Sequence, residues 1–391
     1  MSNFNENILV VGNTSNNYFA IDIAYYLKQR MDISDIISLK VFKNSEFCPR
    51  FTLYEEDDIL HVGESLNNKT IILVSVHNDF ISRNELAMRN MIIARAARDN
   101  GAKQIVLIEP DLFYSAQDRG PKPEHGITRY KRSKEDLHKF NGQPFTARLY
   151  PQLLKNSGVD AVVTIHNHSL SVTNEYEKIL GKENFVNLFP DDLYHYYICN
   201  SGIVDKYNTI LVAPDQGAAD FVLSVAENAE PFFPVLQFNK SREGEREVRL
   251  KVAKDSLSRI SVIKDKDVVV MDDMVRTGTT IVECCNILKN YKPRKIVFMV
   301  THFYSSEEVR HNLAHPNISE IITTNTLPSI LNRDNQGRLR KKMAVIKITK
   351  WIAEYLDKRF ELGIKIKEPA YDEDISNKNK RVRVNFNTIR K

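Results

Sequence analysis

Two adjacent carboxylates beside a hydroxyl-rich turn are the part of this chain best equipped for chemistry. They lie in Val268-Val269-Val270-Met271-Asp272-Asp273-Met274-Val275-Arg276-Thr277-Gly278-Thr279-Thr280, and the run 281–288 that follows reads as a helix. The order is strand, loop, helix start. Backbone N–H groups and hydroxyls at a helix N-terminus bind phosphate. The two acids repel a phosphate but suit sugar hydroxyls or a magnesium-bound ligand beside it. Together they describe a sugar phosphate, with the sugar on Asp272 and Asp273 and the phosphate in Thr277, Gly278, Thr279 and Thr280. A buried strand with a polar turn is the plainer reading of any single apolar run. The acid pair so close to Thr-Gly-Thr-Thr weighs against it here.

Other candidates are spread along the chain. Asp215 follows the apolar run 209–212, at a strand end where a magnesium ligand is expected. His166-Asn167-His168 follows the run 161–165. Histidines two residues apart on a loop can meet a metal or a phosphate, although a lone histidine is more often structural. The segment Asp111-Leu112-Phe113-Tyr114-Ser115-Ala116-Gln117-Asp118-Arg119 ends another apolar run. After it, residues 120–142 are polar and basic, with Arg129, Lys131, Arg132 and Lys134 and no clear periodicity. They read either as a surface loop or as a mobile lid over an anionic ligand.

These residues need strands to carry them. Apolar strands are expected at 8–12, 37–42, 70–76, 104–109, 161–165, 209–212, 234–238, 268–271, 295–301 and 321–323. Helical periodicity is expected at 19–28, 83–100 and 145–156, and over 342–360, which carries Trp351. Strands alternating with helices argue for parallel α/β domains with ligands at the carboxyl ends of the strands. The two halves read as two copies of one such unit. The tail 365–391 is polar and basic and reads as solvated and disordered, or as a weak anion-binding arm.

Composition narrows the classes. A length of 391 residues suits two domains, and a hydrophobic content of 42% suffices for real cores. A net charge of +5 is small for this length, so nucleic-acid binding is not the default. The four cysteines, Cys48, Cys199, Cys284 and Cys285, show no C-x-x-C spacing and read as reduced thiols of a cytoplasmic protein. The start Met1-Ser2-Asn3-Phe4-Asn5-Glu6 lacks a basic n-region, and no run nears the roughly 18 apolar residues of a membrane span.

The ordered set of motifs resembles the ribose-phosphate pyrophosphokinase family, which makes phosphoribosyl pyrophosphate (PRPP). Its members are Phe42-x-Asn44-Ser45-Glu46, Asn84-Glu85-Leu86, Pro110-x-x-x-Tyr114-x-x-Gln117-Asp118-Arg119, Thr164-x-x-x-His168, Pro214-Asp215-x-Gly217, Lys240-x-Arg242, the Asp272-Asp273 loop, Thr301-His302 and Thr324-x-Thr326. The match runs from about residue 8 to residue 360. The resemblance implies two tandem phosphoribosyltransferase-type α/β domains, each a mainly parallel sheet flanked by helices. We place them at 1–184, with the insertion 120–142, and at 185–340, followed by a closing helix at 341–364 and the tail 365–391.

The implied activity is transfer of pyrophosphate from ATP to the 1-hydroxyl of ribose 5-phosphate, giving PRPP and AMP, with Mg2+ and in a homo-oligomer. The implied roles are Lys240 and Arg242 on the transferred group, and Phe42, Asn44, Glu46, Gln117, Asp118 and Arg119 at ATP. Asp272, Asp273, Arg276, Thr277, Gly278, Thr279 and Thr280 take the ribose phosphate, and His168 and Asp215 organise the metal. In the family the Phe42 loop serves a neighbouring subunit. No nucleic-acid or membrane partner is implied.

The chain departs from the family pattern in places. Ala116 replaces an arginine that meets ATP phosphates, and His166-Asn167-His168 replaces Asp-Leu-His. Phe-x-Asp-Gly-Glu has become Phe42-Lys43-Asn44-Ser45-Glu46. Arg276 stands where many members have Asp, and Thr279 where most have Gly. The basic insertion is a candidate source of the charge lost at Ala116. Two other functions stay open: a pyrophosphokinase for a related acceptor such as ADP-ribose, and a catalytically weak regulatory paralogue. Two tandem domains and Lys240-x-Arg242 argue against a phosphoribosyltransferase.

Overall fold

The computed structural model describes residues 7–52, 66–128, 131–242, 248–252, 260–377 and 379–382, with backbone alone at 35, 240–242 and 248–252. The chain divides into two compact units, 1–188 with 349–367 and 189–348 with 368–391.

Unit 1 opens with β1 (Ile8–Gly12), α1 (Tyr18–Tyr26) and a hairpin of β2 (Ile37–Val41) and β3 (Phe47–Phe51). It continues through β4 (Thr70–Val74), α2 (Arg83–Asp99), β5 (Gln104–Ile108), the short α3 (Lys134–His138) and α4 (Thr146–Asn156). β6 (Ala161–Ile165), α5 (Leu170–Leu180) and β7 (Phe185–Leu188) follow. The five strands β1, β4, β5, β6 and β7 form one parallel sheet in the order of the chain. Continuous apolar runs fit strands covered on both faces. All five residues of β1 and of β6 are buried.

The helices carry their own boundary signals. Ser82 caps α2 by accepting from Glu85 N at 3.2 Å, and Gly101 just past its end has φ +93°. Ser169 caps α5 from Val172 N at 3.3 Å, and Gly181 ends it with φ +102°. Such hydroxyl caps contribute about 1 kcal/mol each, and glycine takes the left-handed conformation at a helix end without the strain of a Cβ.

Unit 2 contains α6 (Asp191–Asn200), β8 (Thr209–Ala213), α7 (Ala219–Glu227), β9 (Val235–Arg242) and β10 (Val248–Val252). Then come β11 (Asp267–Val275), α8 (Thr279–Lys289), β12 (Lys295–Phe303), α9 (Glu307–Leu313), β13 (Glu320–Thr324), α10 (Arg333–Gln336) and β14 (Met343–Lys347). The chain next supplies α11 (Thr349–Phe360) to unit 1, where it packs on α1, and returns to unit 2 as β15 (Asp372–Ile375). The eight-stranded sheet has the order β10-β9-β8-β11-β12-β13-β14-β15, parallel at its centre and antiparallel at both edges.

Two segments differ from the sequence expectation. The closing helix expected at 341–364 is shorter, because Met343–Lys347 is β14, paired in parallel with β13. A short apolar run does not distinguish strand from helix by periodicity, and here a neighbouring strand edge decides. The tail is ordered over its described part. Asp374 is held by Arg340 at 2.8 Å and Arg333 at 2.7 Å, while Arg381 reaches Glu320 at 2.6 Å and Glu373 at 2.9 Å. Charges that read as solvated in isolation meet opposite charges on unit 2.

Candidate active site

In unit 2 the strand order reverses between β8 and β11. From β8 the chain adds β9 and β10 on one side, and from β11 it adds β12, β13 and β14 on the other. Neighbouring strands at such a switch point send their following loops apart, which leaves a crevice at their carboxyl ends. β11 pairs with β8 only as far as Val270↔Val212, but with β12 as far as Val275↔Phe303. Asp272 and Asp273 therefore lie on a strand segment that has outrun its β8 neighbour. The sequence reading ended this strand at Met271; the β12 pairing extends it.

The acid pair is electrostatically tense. Asp272 is half-buried, and burial together with the adjacent Asp273 carboxyl holds it well above the usual carboxylate range. Asp215, in the loop after β8, adds to that field. Asp215 Oδ1 accepts from Gly217 N at 2.8 Å and Ala218 N at 3.3 Å, which fixes the turn into α7. Carboxylates gathered like this favour a ligand that brings hydroxyl donors or positive charge.

The loop after the acids is braced from below. Gly278 has φ +80° at the start of α8, and no side chain caps that helix. Its first-turn N–H groups are oriented for an anion. A Cβ at position 278 would meet Leu313 Cδ2 at 3.2 Å. Asn312 Nδ2 donates to Thr277 O at 2.7 Å, and Tyr304 N donates to Val275 O at 3.1 Å. Thr279 Oγ1 lies 3.4 Å from Thr277 Oγ1, and the Arg276 guanidinium lies over the Tyr304 ring at 5.8 Å. The sequence reading did not find Asn312. It stands 35 residues from its partner, and nothing in the local pattern of α9 marks it.

The residues expected at ATP lie in two loops of unit 1. In the β2–β3 turn, Phe42 N donates to Glu46 O at 2.8 Å and Asn44 Oδ1 accepts from Glu46 N at 3.2 Å. Ser45 has φ +71°, so the departure from glycine leaves a strained residue in an otherwise complete turn. Phe42 is 43% exposed. In the second loop, Gln117 Oε1 accepts from Thr146 Oγ1, and Asp118 Oδ2 accepts from Ser169 Oγ at 2.8 Å. Arg119 lies 3.8 Å from Asp118 and 3.6 Å from Asp136.

His168 is exposed, after β6 in unit 1, whereas Asp215 belongs to unit 2. The His168 loop is bolted to β7, since Asn187 Nδ2 donates to Asn167 O at 2.7 Å and Asn187 Oδ1 accepts from Asn167 N at 2.8 Å. Among the described residues no group of three or more His, Cys, Asp or Glu side chains is placed to hold a metal ion. Lys240 and Arg242 stand opposite Leu250 and Val248 in the β9–β10 pairing, and their side chains lie outside the described residues.

The basic insertion is not an open lid in this structure. Arg132 is buried, with its Nε on Asp136 Oδ2 at 2.6 Å and its Nη1 donating to the carbonyls of Gly120, Lys122 and His125 at 2.9, 3.2 and 2.8 Å. It is committed to folding its own loop and does not offer charge to a ligand. Arg129 lies outside the described residues.

Comparisons with known proteins agree with this architecture. Residues 197–326 match the phosphoribosyl transferase domain family. Ribose-phosphate pyrophosphokinase 2 of Saccharomyces cerevisiae is 26% identical over 70% of this chain and 76% of its own length. The ribose-phosphate pyrophosphokinase of Campylobacter jejuni is 24% identical over 82% and 87%. The crystal structure of phosphoribosylpyrophosphate synthetase from Mycobacterium smegmatis has the same fold, with a TM-score of 0.68 and 22% identity, covering 91% of this chain and 100% of that one. With an acid pair beside a glycine-started helix at the switch point, and ribose-phosphate pyrophosphokinases matched over most of its length, the chain is similar to the ribose-phosphate pyrophosphokinase family and carries a phosphoribosyl transferase domain at 197–326.

Proposed function

We propose that this chain is a ribose-phosphate diphosphokinase, moving pyrophosphate from ATP to the 1-hydroxyl of ribose 5-phosphate to give PRPP and AMP. The observation that carries the reading is the anion loop at Gly278 beside Asp272 and Asp273 in the β8/β11 crevice. Asp272 and Asp273 accept hydrogen bonds from the ribose hydroxyls. Arg276, Thr277, Gly278, Thr279 and Thr280 take the 5-phosphate.

In the reaction the 1-hydroxyl oxygen bonds to the β-phosphorus of ATP and loses its proton. The bond from that phosphorus to the oxygen bridging to the α-phosphate breaks, and AMP leaves with the oxygen. Such transfer depends on positioning and on neutralising charge more than on a protein nucleophile. Lys240 and Arg242 neutralise the transferred group. Phe42, Asn44, Glu46, Gln117, Asp118 and Arg119 hold ATP.

Mg2+ that keeps most of its water needs only one or two protein carboxylates, and the Asp215 carboxylate, which adds to the field at Asp272, would serve it. When bound, Mg2+ neutralises charge on the phosphates; Asp215 and His168 are its proposed partners. We place the protein in the cytoplasm as a homo-oligomer; no helix among the described residues is long and apolar enough to cross a membrane.

The test is to incubate the purified chain with ATP, Mg2+ and ribose 5-phosphate and to follow AMP and PRPP. Formation of both supports the reading. AMP release with ADP-ribose but not with ribose 5-phosphate moves the assignment to that acceptor, and no AMP with either overturns it in favour of a regulatory role.

A further inference from the structure

The insertion contains an arrangement that the reaction above does not use. Asp136, on α3, shares its carboxylate between two arginines. Oδ2 is 2.6 Å from Arg132 Nε, and Oδ1 is 3.6 Å from Arg119 Nη1. The Phe140 ring, just beyond α3, lies 5.1 Å from the Arg119 guanidinium and 5.1 Å from that of Arg132. Arg132 is anchored on the carbonyls of Gly120, Lys122 and His125. The anchored arginine thus fixes the acid and the ring, and these flank the second arginine.

Arg119 is the only cation in the segment 110–119, because position 116 is alanine. Its side chain is 37% exposed. Its contacts with Asp136 and Asp118, at 3.6 and 3.8 Å, are longer than hydrogen bonds. They orient the guanidinium without saturating its five N–H donors. A loose arginine loses rotamer entropy when it is fixed on a ligand. A ring on one face and a carboxylate at one edge remove part of that cost in advance.

We propose that Asp136 and Phe140 are positioning residues that hold the Arg119 guanidinium ready for the polyphosphate of ATP. The inference rests on the ATP site proposed above and deepens it: the insertion serves that site as a fixed scaffold.

The test titrates the full chain with MgATP, without acceptor, by calorimetry. Asp136→Asn is expected to weaken MgATP binding about threefold to tenfold, and Phe140→Leu about threefold, with ribose 5-phosphate affinity unchanged. The double variant Arg119→Ala/Asp136→Asn should bind MgATP no more weakly than Arg119→Ala, because the acid acts through the arginine. Additive losses in that cycle, or wild-type affinity in folded Asp136→Asn and Phe140→Leu, overturn the proposal. If Asp136→Asn fails to fold, Phe140→Leu decides, since it keeps the Arg132–Asp136 pair. Absence of AMP release with ribose 5-phosphate overturns the proposed reaction and leaves these affinities standing, whereas absence of MgATP binding by the wild type overturns both.

Discussion

The two sheets end their central strands in opposite ways. In unit 2 the strand order reverses between β8 and β11, and the acids of β11 lie beyond the last β8 pairing. In unit 1 the order follows the chain, and the ends of β1, β4 and β5 are plugged. Asn13, Ser75 and Glu109 follow those strands directly. Asn13 Nδ2 donates to Ser75 Oγ at 3.0 Å, and Ser75 Oγ donates to Glu109 Oε1 at 3.3 Å. Asn90 from α2 and Tyr150 from α4 donate to the same Oε1 at 3.1 and 3.0 Å, while Phe113 N donates to Oε2 at 2.9 Å. One edge buries a carboxylate and satisfies it with donors from its own chain. The other keeps its carboxylates at a crevice, where a ligand can supply the donors. A carboxylate near the carboxyl end of a central strand is thus either satisfied by its own chain or left for the proposed ligand, according to the order in which strands join the sheet.

The largest break in this comparison is expected at β9, beside the switch point. Lys240→Ala should lower kcat by roughly a hundredfold with little change in substrate binding, as for loss of charge stabilisation confined to the transition state. A normal kcat in steady-state assays removes Lys240 from the reaction.

Next comes the acid pair itself. Asp273→Ala should raise KM for ribose 5-phosphate far more than KM for ATP, with a loss of about 1.5–3 kcal/mol in kcat/KM. Equal effects on the two substrates would falsify the assignment of the acids to the sugar.

The brace under the loop should give a smaller effect. Asn312→Leu deletes the donor to Thr277 O and is expected to weaken ribose 5-phosphate binding by about 1 kcal/mol, leaving MgATP affinity unchanged. Calorimetry on the two ligands separates these outcomes, and unchanged affinity for the sugar phosphate shows that the loop holds its shape without Asn312.

The smallest effect sharpens the plugged side. Burial pushes Glu109 from 4.5 up to about 7 in the folded chain. Between those values the folded chain keeps a proton that the unfolded chain has lost, so stability falls as pH rises through that window. In Glu109→Gln the fall in Tm from about pH 5 to about pH 8 should shrink. An unchanged slope by thermal denaturation assigns the dependence to another group.

Much of the fold is legible in the sequence. The apolar runs at β1, β4, β5, β6, β8 and β12 are long, β-branched and bounded by polar turns, and such runs pair wherever a neighbouring edge exists. The stretch 272–280 suggests its proposed chemistry through residue type and spacing alone. Less legible were short elements whose state depends on a partner. β14 is an apolar run that a helix could equally have used, and β15 is nearly all acidic. Asp136 looked like one more charge in a basic loop, and Arg132 looked available when it is buried.

The sequence by itself determined the alternation of strands and helices, the acid pair, the Thr-Gly-Thr-Thr turn and the family they point to. These are properties of neighbouring residues, set by local sterics and hydrophobic period. Only the tertiary structure decided that β8 and β11 part at the switch point, that Asn312 braces Thr277, that Glu109 is buried among donors, and that Asp136 faces Arg119. Each joins residues far apart in the chain. Contacts of that kind form only when the packed core fixes distant segments side by side, and that placement depends on strand order as well as on local pattern.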